Sequence, residues 1–248
     1  QGAQLSGGSR AVELGLITLK GTKSLANVMF ILGLFTAAGI LYTSYLNTGS
    51  TFNAYYAAII ALIGVLVGYF YTAKPIRLSS RYGLGELSIF LSFGPLLTLG
   101  TGFAIANETI QLFSNEFYNL ILLGIPIGLL TTNILFINQY PDYASDKKVG
   151  KNHLVVLFGK KSSRWIYALN LAIALGSLYY IAENILNQTQ GSLFLYLLIP
   201  VTMIYSYYLI AGLFKHYNSR SLIKYNIHTI YFHMLFSFIY MIILANFQ

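Results

Sequence analysis

The feature that most limits how this chain can fold is repeated along it: seven stretches of 18 to 23 residues contain no Asp, Glu, Lys or Arg. They are Leu25–Leu46, Phe52–Thr72, Leu87–Ala106, Phe117–Ile137, Trp165–Ala182, Ser192–Phe214 and Tyr225–Phe247. Crossing ~30 Å of hydrocarbon at a rise of ~1.5 Å per residue takes about 20 apolar residues, so each run is long enough to span a bilayer as a helix. Each is apolar on all sides, without the alternation of a barrel strand, and this selects helices over strands. The reading is an all-α, polytopic membrane helix bundle forming a single domain over residues 1–248. Composition agrees, because the chain carries 22 charged side chains, whereas a soluble domain of its length would carry roughly 60. The apolar content excludes disorder, and the absence of Cys excludes a disulfide-stapled secreted fold.

The charges fall unevenly between the runs. Connectors Asn47–Thr51, Asn107–Glu116 and Glu183–Gly191 hold no Lys or Arg, and all fifteen bases lie in the other segments. Arg10, Lys20 and Lys23 precede the first run, and Lys74, Arg77 and Arg81 follow the second. Lys147, Lys148, Lys151, Lys160, Lys161 and Arg164 lie between the fourth and fifth, and Lys215, Arg220 and Lys224 between the sixth and seventh. Seven crossings put every one of these segments on one side, which the positive-inside rule makes cytoplasmic, with the N-terminus inside and the C-terminus outside. The net charge of +8 is therefore an orientation signal, and a nucleic-acid partner is excluded. Tyr42, Tyr45, Tyr69, Tyr71, Tyr118, Tyr179, Tyr180, Tyr207 and Tyr208 stand near run ends, as in an interfacial aromatic belt. The first 24 residues carry no apolar core of the kind a secretory signal peptide has.

The only two Asp residues stand four apart in one polar segment, Asn138-Gln-Tyr-Pro-Asp142-Tyr-Ala-Ser-Asp146, followed by Lys147, Lys148 and Lys151. If the stretch after Pro141 is helical, with Pro at its first position, both carboxylates share one face and are close enough to share a divalent ion. Hard oxygen ligands without His or Cys nearby favour Mg²⁺, which commonly uses one or two carboxylates plus a substrate phosphate. Equally, D-x-x-x-D is common, and acids and bases in a solvated loop can simply offset one another. The other polar connector, Tyr71–Glu86, holds Lys74, Arg77 and Arg81 ahead of a glycine-bearing helix start, a plausible anion site. Glu86 falls in the first turn of the following helix, where its expected role is to complement the helix dipole. His153, His216, His228 and His233 have no metal-site spacing and read as packing or interhelical hydrogen-bonding residues.

These segments resemble the UbiA superfamily of membrane prenyltransferases, and within it the 1,4-dihydroxy-2-naphthoate prenyltransferase branch of menaquinone biosynthesis. Asn138–Gly159, NQYPDYASDKKVGKNHLVVLFG, is similar to the second aspartate-rich motif of that branch. Tyr71–Leu96, YTAKPIRLSSRYGLGELSIFLSFGPL, resembles its Y-T-x-P-P-x-x-L-x-x-R-G-L-G-E…F-G-P-L segment. Gln4–Thr18, QLSGGSRAVELGLIT, is similar to the stretch following the family's first aspartate-rich motif. Family members have nine transmembrane helices and an N-D-x-x-D-x-x-x-D motif after the second, whereas this sequence shows seven runs and no Asn-Asp dipeptide. The expectation is a single prenyltransferase domain, seven helices of a nine-helix UbiA-type fold, lacking the first two helices and first motif either as a fragment or naturally.

The resemblance implies Mg²⁺-dependent transfer of a prenyl group from a prenyl diphosphate to an aromatic acceptor, 1,4-dihydroxy-2-naphthoate in that branch. The setting it implies is an integral multi-pass protein working at the cytoplasmic face, of the inner membrane in a prokaryote. By the family pattern Asp142 and Asp146 are the catalytic, metal-linked carboxylates and Asn138 a supporting ligand. Lys151, Arg81, Lys147 and Lys74 are the candidates for contact with the diphosphate, and Tyr140 and Tyr143 either flank the site or pack at the interface. Two other readings stand beside this one: a seven-helix transporter or channel, for which only His228 and His233 are ionisable within the spans, and an inactive prenyltransferase-like membrane protein.

Overall fold

The computed structural model of the chain describes residues 11–12, 14–186 and 190–246. Arg10, much of Gln4–Thr18 and the middle of the Glu183–Gly191 connector lie outside the described residues. Eight helices account for nearly all the rest: α1 (Leu19–Thr48), α2 (Thr51–Thr72), α3 (Leu84–Phe93), α4 (Pro95–Ile105), α5 (Asn115–Lys148), α6 (Leu154–Asn184), α7 (Gln190–His216) and α8 (Leu222–Asn246). No β-strand occurs among the described residues. Because α3 and α4 together form one span, seven helical units are long and apolar enough to cross a membrane, one for each uncharged run. Helix starts follow side-chain chemistry. Thr18 caps α1 by accepting from Gly21 N, Ser50 caps α2 through Phe52 N, and Ser114 caps α5 through Phe117 N.

The run Leu87–Ala106 reads as one continuous helix, and the structure breaks it between α3 and α4. Pro95 has no N–H to donate one turn back, and Gly94 takes a non-helical conformation (φ −117°, ψ −107°). The break lies where α5 crosses it. A Cβ on Gly124 would stand 2.5 Å from the carbonyl carbon of Gly94, and one on Gly128 would stand 2.6 Å from the carbonyl oxygen of Phe90. Backbones approach this closely because small residues leave nothing between them, and that close van der Waals contact is what holds helices together in lipid.

Helix α5 is the hub, touching α3, α4, α6 and α8. Its buried Phe136, Ile137 and Tyr140 belong to one large core that also takes in Tyr167, Leu171 and Leu178 of α6 and buried residues of α7 and α8. A smaller core joins Ala57, Leu99 and Phe103 between α1, α2 and α4. Polar side chains stitch the helices. Asn133 Nδ2 donates to Tyr167 O (3.1 Å), Asn170 Nδ2 to Asn133 Oδ1 (2.9 Å), and Tyr167 OH meets Thr229 Oγ1 (2.8 Å). The two histidines within α8 make interhelical bonds, His233 to Thr131 at 2.8 Å and His228 to Tyr205 at 2.9 Å. Most of the aromatic-belt tyrosines are exposed, whereas Tyr71 and Tyr208 are half-buried. Since the chain reverses at each connector, every described Lys and Arg lies at one end of the bundle.

Candidate functional site

The segment read as a long polar loop after Asn138 is mostly helix. Helix α5 runs on through Pro141, which is internal rather than at a first position, to Lys148, and α6 begins at Leu154, so only residues 149–153 connect them. Asp142 and Asp146 therefore stand one turn apart on the last turns of α5, a spacing that puts their Cβ atoms roughly 5–6 Å apart. The helix stops at Val149, and Gly150 turns the chain with φ 73°. This turn brings Lys151 back onto α5, its N–H donating to Asp146 O (3.0 Å) and its ammonium pairing with Asp146 Oδ1 at 2.8 Å.

His153 caps α6 and completes the arrangement around Asp146. Its Nδ1 accepts from Val156 N at 3.3 Å, so that nitrogen carries no proton, and Nε2–H donates to Asp146 Oδ2 at 3.2 Å. Burial holds this imidazole below the usual histidine pKa, against the opposing pull of Glu86 and Asp146. The neutral Nε2–H tautomer is thus the ordinary state. The Asp142 carboxylate, by contrast, has no hydrogen bond or ion pair among the described residues, and only the backbone carbonyl accepts from a side chain, Ser145 Oγ at 2.8 Å.

The second polar connector packs directly on the first. Leu78–Ser80 form a short 3₁₀ turn, and Arg81 makes a parallel bridge with Asn152, whose N–H donates to Ser80 O at 3.1 Å. Arg77 (φ 48°) and Tyr82 (φ 41°) hold left-handed backbone, a conformation that costs about 1–3 kcal/mol in a residue other than Gly. Arg81 also donates through Nη2 to Pro75 O at 2.7 Å, closing the basic loop on itself. The carboxylate pair, Lys151, His153 and Arg81 are therefore brought to one seam at the basic end.

Other expected residues take different places. Lys74 and Lys147 are exposed, and the Lys147 ammonium lies 5.8 Å from the centroid of the Tyr143 ring. Asn138 Oδ1 accepts from Asn226 Nδ2 of α8 at 3.0 Å, which ties the candidate ligand to the last helix. Tyr140 is fully buried against Phe136 and acts in packing rather than at the seam. Glu86 departs furthest from its expected role: it is 4% exposed, and one oxygen, Oε1, accepts from both Gln139 Nε2 (3.0 Å) and Leu154 N (2.9 Å). Its charge therefore sits at the N-terminus of α6, not only at that of its own helix. His153, Gln139 and Asn226 were not singled out by the sequence as members of the site, and their only signal was proximity in sequence or an isolated polar residue in an apolar run.

Two apolar grooves of ≈ 300 Å³ each run along α2 and α3–α4 and share Gly64 and Ser92. One extends between α1 and α4 past Ala57 and Leu97, and the other reaches Tyr71 and Ser88 at the basic end. Among the described residues no group of three or more His, Cys, Asp or Glu is placed to hold a metal ion. The oxygen donors at the seam are two carboxylates and the Asn138 amide. They are too few for an all-protein cage, and they are the hard donors that Mg²⁺ takes when phosphate oxygens complete its shell.

Residues 9–240 match the model of the UbiA prenyltransferase family. The chain is 26% identical over 189 residues to 1,4-dihydroxy-2-naphthoate octaprenyltransferase of Haemophilus influenzae, covering 76% of this chain and 57% of that protein. It is 30% identical over 168 residues to 2-carboxy-1,4-naphthoquinone phytyltransferase of Synechocystis, covering 67% and 49%. A 1,4-dihydroxy-2-naphthoate octaprenyltransferase of Bacillus subtilis is 31% identical over 122 residues, covering 49% and 37%. The matched stretch spans about half the length of these relatives. No solved structure matches.

Proposed function

Because this chain belongs to the UbiA prenyltransferase family, we propose that it transfers a prenyl group from a prenyl diphosphate to an aromatic acceptor of the 1,4-dihydroxy-2-naphthoate type. The observation that carries this reading is the seam itself: a carboxylate pair on the last turns of α5, joined by the Arg81–Asn152 bridge to a basic loop, at the end of an apolar bundle. A prenyl diphosphate has the same two-part character, a long apolar tail and a headgroup of several negative charges. The positive-inside rule puts this end at the cytoplasmic face. The named relatives share a naphthoate or naphthoquinone acceptor and differ in the prenyl group, so the acceptor class is the firmer half of the analogy.

Asp142 and Asp146 would hold Mg²⁺, with Asn138 in support, and when bound the ion neutralises charge on the departing diphosphate. Lys151, now paired with Asp146, and Arg81 would receive the diphosphate oxygens, and Lys147 and Lys74 would add positive charge from the exposed rim. His153 fixes the direction of the Asp146 carboxylate, so one oxygen keeps a constant bearing when Lys151 turns to the substrate. In the transfer, the C1–O bond of the allylic diphosphate breaks and its electron pair leaves with the diphosphate. A ring carbon of the acceptor supplies the pair for the new C–C bond, and the ring regains aromaticity when that carbon releases H⁺, or CO₂ if it bears the carboxylate, and the bonding pair returns to the ring. The grooves along α2 offer apolar room, and one of them reaches Tyr71 and Ser88 at the basic end.

The test is turnover in membranes holding the protein expressed from its native gene, with prenyl diphosphate, 1,4-dihydroxy-2-naphthoate and Mg²⁺. Replacing Asp142→Asn together with Asp146→Asn is expected to lower turnover about 100-fold or more, and chelation to abolish it until Mg²⁺ is restored. Turnover retained in the double variant would sink the assignment of the site. Turnover in excess chelator would remove the metal from the proposal.

A further inference from the structure

We propose that Glu86 is a positioning residue that locks the basic loop and the aspartate helix into one diphosphate-binding seam; this rests on the prenyl-transfer reading above. Three observations carry it. The carboxylate is almost fully buried, and its Oε1 atom accepts from Gln139 Nε2 and from Leu154 N. Gln139 stands three residues before Asp142 on α5, and Leu154 directly follows His153, whose imidazole holds Asp146. One oxygen thus fixes both the helical turn that presents the first carboxylate and the helix start that orients the second.

The other side of the connection is built as tightly. Glu86 is delivered by the first turn of α3, just after the basic loop, and the backbone there has no spare room. A Cβ on Gly85 would stand 2.9 Å from Ser79 Cα, and one on Gly83, which has φ 83°, would stand 2.7 Å from Leu154 Cδ2. The Arg81–Asn152 bridge runs alongside. A shift of α6 away from α3 would therefore open three contacts at once: the bridge, the Leu154 packing and the Glu86 bonds. It would also separate Arg81 from Lys151, the two bases best placed for one diphosphate.

Other roles for Glu86 fit less well. An acid serving only the dipole of its own helix gains from staying in solvent, whereas this one is buried and bonded to the start of another helix. A catalytic role requires contact with reacting atoms, and a side chain this buried, with Oε1 doubly engaged, does not reach them. A buried carboxylate left without its donors is costly, and so are donors left without it. The arrangement therefore rigidifies the seam before any ligand arrives.

The experiment compares Glu86→Ala, Glu86→Gln and Gln139→Met with the wild-type protein from its native gene, purified in detergent. The probes are farnesyl thiodiphosphate, a non-reacting donor, titrated with Mg²⁺; KM for 1,4-dihydroxy-2-naphthoate; and hydrogen exchange of the metal-free protein. Glu86→Ala is expected to weaken Mg²⁺-dependent binding of the thiodiphosphate about 10- to 100-fold, the usual effect of removing a residue that orients ligands, and to leave the acceptor KM within about twofold. Glu86→Gln keeps one acceptor oxygen and Gln139→Met removes one donor, so both should fall between Glu86→Ala and wild type. In metal-free protein, exchange should quicken in residues 78–87 and 139–157 and stay unchanged in α1, α4 and α7.

Unchanged thiodiphosphate affinity in folded Glu86→Ala would overturn the proposal, as would uniformly faster exchange across all helices, which marks a merely structural residue. A rise in acceptor KM alone would also overturn it by placing Glu86 against the acceptor. If Glu86→Ala is not recovered folded, wild-type affinity in both Glu86→Gln and Gln139→Met is the refuting result. Failure of the prenyl-transfer reading looks different: the wild type would not bind Mg²⁺ and thiodiphosphate, while local exchange at 78–87 and 139–157 would still respond to Glu86→Ala.

Discussion

Replacing Gly124 by Ala is the sharpest test of how the hub helix is seated. An added Cβ would meet Gly94 C at 2.5 Å, Thr98 Oγ1 at 2.6 Å and Gly94 O at 2.7 Å, and two of these three atoms are backbone. Ordinary carbon contacts lie near 3.5–4.0 Å, so α4 and α5 would have to part by roughly 1 Å. No side-chain rotation can absorb that. Overpacking of this kind costs about 1–3 kcal/mol, and for a chain of this length each kcal/mol moves the midpoint by about 2–4 °C. The expected result is a Tm lowered on the order of 3–10 °C in detergent. Gly128→Ala should show a similar loss, because its Cβ would meet Phe90 O at 2.6 Å. Gly176→Ala on the exposed face of α6 is the control, since nothing lies within 4 Å of its Cβ position, and helix propensity alone should leave it unchanged or slightly raised. If Gly124→Ala and Gly128→Ala both match the control, the backbones of α4 and α5 are not in contact and the account of the helix break fails with them.

Two further outcomes check the polar stitching. Thr229 Oγ1 donates to Tyr225 O, so the buried Tyr167 hydroxyl is the donor in its 2.8 Å bond to Thr229. A double-mutant cycle of Tyr167→Phe and Thr229→Val, read by unfolding in detergent, should return a coupling of about 0.6–1.7 kcal/mol, and additive losses would show that the bond is absent. Arg164 lies with its guanidinium 4.5 Å from the ring centroids of both Phe214 and Tyr217 and donates to Phe214 O at 2.9 Å. Because a lysine ammonium cannot stack on two rings and keep that bond, Arg164→Lys should cost about 1–2 kcal/mol despite conserving charge. A Tm equal to wild type for the lysine variant would mean that charge alone matters there.

The number of spans and the concentration of bases at one end were readable along the chain. Hydrocarbon thickness sets a length, exclusion of charge marks each run, and both are local properties of about 20 residues. The spacing of Asp142 and Asp146 was readable on the condition that the segment is helical, and the continuation of α5 through Pro141 to Lys148 meets that condition. Local pattern failed where a partner lies far away. Gly94 and Pro95 looked tolerable inside an apolar run, and the break there follows from the approach of Gly124 and Gly128 on another helix. Glu86 looked like a helix-dipole acid because its partners, Gln139 and Leu154, are 53 and 68 residues away. His153 read as a packing or interhelical hydrogen-bonding residue, and which partner it takes, Asp146, depends on the turn at Gly150 that folds the connector back. Membrane partition is a sum over single residues and can be read from them, whereas directional hydrogen bonds between helices exist only once packing has placed donor and acceptor within about 3 Å of each other.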